Sequence, residues 1–390
     1  NDGGNTGNTV FGKSAFNTST NNASDYNTMV GELAGGTGTV AGALNNVAVG
    51  YKALEDLTSA DYNTALGTQS MASLTSGQEN VAIGQGALST ATTEAYNIAI
   101  GSGAMASVRN DGSDSNVAIG RESFTGGTGA AVGNIAIGQE AMNSTGSNAQ
   151  TGTVAIGHSA LTALTSGSQN TAVGYTALDE LITGSFNTAI GYETLASADG
   201  AESGNTAIGA QALYYMDGDA TNANTAVGTE SGFYNVTGAN NTSVGYNAMK
   251  GASGQSHSNN TAVGKNALLA ITTGTDNSVL GLNAGDALLT GTGNVFLGSD
   301  AAGTTTDVDR AIIIGLDAGA ADMTSAADGT IAIGFAALNA LTSGARNIAI
   351  GYEAGNDIVD GHNNIFIGYQ AGDKSSAIGY AIIIGEEAGG

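Results

Sequence analysis

Asn187-Thr188-Ala189-Ile190-Gly191-Tyr192 is one copy of a phrase that runs the length of the chain, with close copies ending at Gly67, Gly84, Gly174, Gly209, Gly264 and Gly351. Aligned on its glycine, the phrase sets twenty-two registers from Gly12 to Gly385, spaced by seventeen residues in twelve of the twenty-one intervals, nineteen in seven and eighteen in two. A period this short, held from end to end, leaves no stretch for a separate globular domain, so residues 1–390 read as one array of stacked units.

Each column of the repeat has its own character. The residue before the glycine is always large and apolar, as in Phe11, Val173, Ile190 and Leu280, and the residue two places earlier is mostly β-branched, as in Val154, Thr188, Ile331 and Ile382. Side chains on a strand alternate, so these two positions share a face. The residue between them is usually Ala. The fold this implies is all-β: a parallel β-solenoid (β-roll) of about 22 coils of 17–19 residues. The large residues are expected to face the interior of the coil. The small face, with Ala65, Gly67, Ala189, Gly191, Ala262 and Gly264, is expected to lie outside and to pack against another copy of the chain.

Asn stands four residues before the glycine in eighteen registers, the exceptions being Thr153, Ala311, Thr330 and Ala381. A short amide at a turn, repeated coil after coil, predicts a structural ladder rather than a ligand site. A small residue three places after the glycine, followed by Leu, Met, Phe or Gly, begins a second buried edge, either a short strand or a single helical turn; Ala177, Leu178 and Leu181 have the spacing of the latter. The remaining segment is rich in Ser, Thr, Gly and Asp and reads as turn, with the extra residues of the longer coils in loops such as 109–113 and 214–218.

Composition narrows the function. The chain has 62 Gly, no Pro, no Cys, no Trp, 9 basic against 34 acidic residues and a net charge of −25. The acids are spread along the whole length, which is the pattern of a solvated face, and phosphate recognition would need basic clusters that are absent. Without cysteines, stability must come from repetition and burial. No apolar run reaches eighteen residues, so no membrane insertion is expected of this segment. A first residue of Asn1 and a start within a repeat suggest a processed or partial product.

No catalytic residues are expected. His158, His257 and His362 are far apart in repeat order, and Gly157-His158-Ser159-Ala160-Leu161 lacks the closing glycine of a nucleophile elbow. No cofactor is expected. Weak calcium candidates are the acidic turns holding Asp111 and Asp114, Asp217 and Asp219, and Asp307 and Asp309, where carboxylates could meet a hard cation. Tyr51, Tyr175, Tyr192, Tyr246, Tyr352 and Tyr369 directly follow the repeat glycine. They read either as packing between coils or as a ladder on which sugars stack.

The recurring Asn-Thr-Ala-Ile-Gly-x-x-Ala resembles the head repeats of YadA-like trimeric autotransporter adhesins and related repeats of bacteriophage tail fibres, with Asn187, Thr188, Ala189, Ile190, Gly191 and Thr194 carrying the match. The resemblance implies a left-handed β-roll, a homotrimer, and a place on a cell or virion surface. It also implies attachment to a host glycan or protein receptor. The expected function is thus a non-catalytic, rigid extracellular fibre for attachment. A filament that polymerises end to end is the alternative, and an ice-binding solenoid the third reading.

Overall fold

The computed structural model describes residues 6–17, 23–108, 112–127, 129–144, 146, 149–218, 222–374 and 378–389. The fold is an all-β parallel β-solenoid of about 21 coils. It divides into two compact units, Asn1–Tyr192 with Asp199–Ala201, and Glu193–Ala198 with Glu202–Gly390. Among the described residues the first unit holds eleven three-residue strands, from Thr9–Phe11 to Thr188–Ile190, and the second holds eleven more, from Thr206–Ile208 to Ile382–Ile384. Two extra two-residue strands, Ala131–Val132 and Gln150–Thr151, pair with each other in the longer coils of the first unit. The one helical segment described is the 3-10 turn Ser325–Ala327.

Strands pair parallel and in register, so that like residues stack: Thr171 on Thr188, Ala172 on Ala189, Val173 on Ile190. Parallel neighbours need a long return path, and here the path is the rest of the coil. The second edge is neither strand nor helix but a run of turns in which Ala177, Leu178 and Leu181 are all buried. Its backbone uses left-handed conformations at three places per coil, for example Thr176, Leu178 and Phe186 with φ of 46°, 53° and 62°. Other coils place Gly86, Gly355 and Gly133 at those same positions, where glycine adopts the left-handed conformation without strain.

The interior is the reverse of the sequence expectation. Ala65, Ala172, Ala189 and Ala262 are wholly buried, whereas the flanking large residues are half-exposed, Leu66 at 46% and Leu280 at 50%. Ala65, Ala189 and Ala262, expected at a contact between copies, therefore line the inside of the coil. Gly67, Gly191 and Gly264 stand at its corner. The physical reason is cross-sectional volume. Leu at the fourth place after the glycine already fills the interior, so the strand opposite contributes only a methyl group. Where the strand contributes more, the second edge contributes less: Gly355 and Gly372 lie against Phe366, Gly285 against Phe296, Gly35 against Met29 and Gly319 against Ile313. Such large-for-small exchange is how a core holds its packing density.

The repeat glycine has a separate cause. Gly67 has φ of 137° and a Cβ there would lie 2.5 Å from the Gly84 carbonyl oxygen; Gly368 faces Gly385 in the same way at 2.6 Å. Backbone from the next coil occupies the space a side chain would need.

Buried asparagines fasten the coils. Asn260 Oδ1 accepts both the backbone N–H and the side-chain Nδ2–H of Asn277, each at 3.0 Å, and Asn277 Nδ2 also donates to the Gly291 carbonyl at 2.8 Å. Asn294 repeats the pattern on Asn277. Thr153, Ala311 and Ala381 still donate their backbone N–H to the preceding Asn, at 3.0, 2.9 and 3.0 Å, but pass no side-chain acceptor onward within the ladder.

Two substitutions test this core. Gly355→Leu should cost about 1–3 kcal/mol by overpacking against Phe366, and Phe366→Ala in the same chain should recover stability. Denaturant titration of the single and double variants reads the coupling; additive losses would contradict the inward face. Asn277→Ala strands the Asn294 N–H and amide and should cost about 2–4 kcal/mol.

Candidate functional site

Strand alternation and the small interior together leave a distinctive outer surface. In each unit the two outward positions of every strand form two columns, and neither column contains a charged residue. In the second unit one column runs Thr206, Thr225, Thr242, Thr261, Ser278 and then Val295, Ile312 and Ile331, beside an unbroken aliphatic column from Ile208 to Ile384. Eleven strands about 4.8 Å apart, with a strip about 10 Å wide, give roughly 500 Å² per unit. That is the size of the largest apolar patch on an ordinary monomer.

Next to this face, just past the glycine corner, lie the tyrosines singled out from the sequence. In the first unit His158, Tyr175 and Tyr192 form one stack, with ring centroids 5.2 and 5.6 Å apart. In the second, Phe335, Tyr352 and Tyr369 form another at 4.9 and 5.3 Å. The middle ring of each stack, Tyr175 or Tyr352, has a ring against each face, and the end rings Tyr192 and Tyr369 have a stacked ring against one. Tyr51 has the Lys52 ammonium 5.7 Å from its ring centre, and Tyr246 is half-exposed with no ring contact described.

A second aromatic group escaped the sequence reading. Tyr214 and Tyr215 stack on Phe233 and Tyr234 of the next coil, at 5.4 and 5.2 Å, with edge-on contacts inside each pair. The Lys250 ammonium stands 5.5 Å from the Phe233 ring centre and pairs with Glu230. The signal was available: aligned on Gly209 and Gly228, the two pairs fall at the same positions of consecutive coils.

Four of the six acidic candidates fall among the described residues. Asp111 and Asp219 lie outside the described residues. Asp114 Oδ1 accepts the Ala95 N–H at 2.8 Å, Asp307 Oδ1 the Ser325 N–H at 2.7 Å and Asp309 Oδ1 the Thr292 N–H at 2.7 Å, so each ties its turn to a neighbouring coil. Asp217 and Glu202 bring carboxylate oxygens within 4.8 Å, and Glu202 also accepts the Gly218 N–H.

The three histidines stay apart. His158 bonds Ser159 through Nδ1 and stacks on Tyr175; His362 meets Tyr380 edge-on. His257 is 2% exposed, and neither ring nitrogen has a hydrogen-bond partner. It occupies a core-facing position that other coils give to Gly or Ala, such as Gly274 and Ala60. Burial pushes its pKa down from 6.5 to about 4.

Among the described residues no helix is long and apolar enough to cross a membrane. Comparison with known proteins found no family model that matches the chain and no match among curated proteins.

The His257 environment makes an acid-stability prediction. Above pH 6.5 the ring is neutral in both folded and unfolded states. As pH falls from 6.5 to about 4 the unfolded chain takes the proton first, which favours unfolding, and the loss reaches about 3 kcal/mol below pH 4. Denaturant midpoints at pH 7 and pH 4 for the native chain and His257→Leu measure it. The variant should lose less stability on acidification, and equal losses would show that His257 is not the group responsible.

Proposed function

We propose that this chain is a non-catalytic structural protein of an extracellular fibre, whose copies associate through the uncharged outer faces of their strands to form a rigid attachment element on a cell or virion surface. The observation that carries the reading is that face itself. In a chain of net charge −25, two adjacent columns in each unit carry no charge at all and keep aliphatic side chains half in water. Roughly 500 Å² per unit is more than half of the about 800 Å² that a stable protein interface buries on each partner. The resemblance to YadA-like adhesin heads and phage tail-fibre repeats supports three as the number of copies. Continuous repetition, with turns of variable length, suits a scaffold that displays recognition elements at intervals.

Sedimentation equilibrium tests the association. The native chain is expected to sediment as a trimer, and outward substitutions that leave the core untouched, Val263→Lys with Leu280→Lys and Ile119→Lys, are expected to yield monomers with unchanged circular dichroism. A native chain that stays monomeric at micromolar concentration would overturn the proposal. Electron microscopy of the same material separates discrete rods from the continuous filaments of an end-to-end polymer.

A further inference from the structure

The aromatic group of the second unit departs from the repeat, and hydrogen-bond register shows how. Ser197 N–H donates to the Tyr214 carbonyl at 3.0 Å, Tyr215 N–H to the Phe233 carbonyl at 3.1 Å, and Tyr234 N–H to the Lys250 carbonyl at 2.9 Å. One column therefore runs Ser197, Tyr215, Tyr234, Gly251, and Gly251 N–H continues it to Ala270 by bonding the Leu269 carbonyl at 3.0 Å. Two stacked rings stand between small residues. This differs from Tyr175 and Tyr352 beside the repeat glycine, each of which has a stacked ring against both faces. Here no ring lies over the outer face of Tyr215, and Tyr215 is 41% exposed.

The inner side of the group is closed. Tyr214 packs edge-on against Tyr215, Phe233 packs edge-on against Tyr234, and Lys250, itself held by Glu230, covers Phe233. The result is a flat phenol fixed from behind by Tyr234 and from the side by Tyr214 and Phe233, with a serine in the coil beneath its free face. A fixed aromatic face with a serine hydroxyl in the adjacent coil matches a pyranose ring, whose axial C–H bonds lie on an aromatic face while its equatorial hydroxyls reach polar neighbours. The charge of the chain selects among sugars: at −25 it repels anionic ones and so favours neutral ones.

We propose that Tyr215, backed by Tyr234 and standing over Ser197, is a carbohydrate-binding subsite for a neutral pyranose. The proposal deepens the attachment reading by naming the class of receptor. It also moves recognition away from Tyr175 and Tyr352, both of whose faces are stacked on neighbouring rings.

The test is saturation-transfer difference NMR on the full chain, with tetrasaccharides of glucose, galactose, mannose and N-acetylglucosamine as separate probes. At least one is expected to receive saturation on the C–H protons of one ring face. Tyr215→Ala should weaken that binding at least tenfold, Tyr215→Phe should keep it, and Tyr352→Ala should leave it unchanged. Ser197→Tyr, which extends the ring stack over the free face of Tyr215, should abolish it while the melting curve is preserved, so the test survives a Tyr215→Ala chain that fails to fold. Absence of transfer to all four probes, or binding that survives both Tyr215→Ala and Ser197→Tyr, overturns the subsite. Sedimentation of the same samples reports separately on association, so failure of the subsite and failure of the fibre are distinguishable.

Discussion

Coil-to-coil backbone contact at the repeat glycine is the constraint on which the rest depends. The N–H of Gly67 donates to the Val49 carbonyl at 2.9 Å while its Cα side abuts the Gly84 carbonyl, so the chain is held from both neighbouring coils at one atom-sized point. A side chain there would force the coils apart, and every strand pairing is in register with that point. Register then decides what each residue meets: its own counterpart, one coil away.

Stacking like on like has opposite consequences for different side chains. For Asn it is favourable without limit, because an amide both donates and accepts; the buried ladder satisfies backbone N–H groups that an apolar column would leave stranded. For aromatic rings it yields face-to-face columns. For carboxylates it is repulsive, and the acids accordingly sit in the turns, where Asp114, Asp307 and Asp309 bind backbone N–H groups of adjacent coils. Where a large polar residue enters the core-facing side of a turn the fit is less complete. His257 keeps two ring nitrogens without partners.

The same register separates the surface into functions. Outward strand positions repeat Thr, Val, Ile and Leu without a charge. Positions five and six after the glycine are usually small or polar, and only the coils of Gly209 and Gly228 give them aromatic pairs. A local break in a strict repeat therefore marks one place on the chain, which a feature common to every coil cannot do.

Periodicity determined the coil length, the parallel in-register stack and the Asn ladder, because each is a property of the sequence compared with itself at a shift of seventeen to nineteen residues. It also fixed that Ala189 and Ile190 point to opposite sides. Which side is inside was decided only by tertiary structure. Alternation has no sign, and hydrophobicity suggests the wrong one here, because the narrow coil is already filled by Leu178 and its equivalents from the second edge. The exchange of Ala with Leu for Phe366 with Gly355 and Gly372 was present in the sequence, but only the packing shows that those residues touch. The left-handed turns and the placing of Tyr215 over Ser197 likewise depend on how each coil closes, and that is set by packing across the coil rather than by neighbours along the chain.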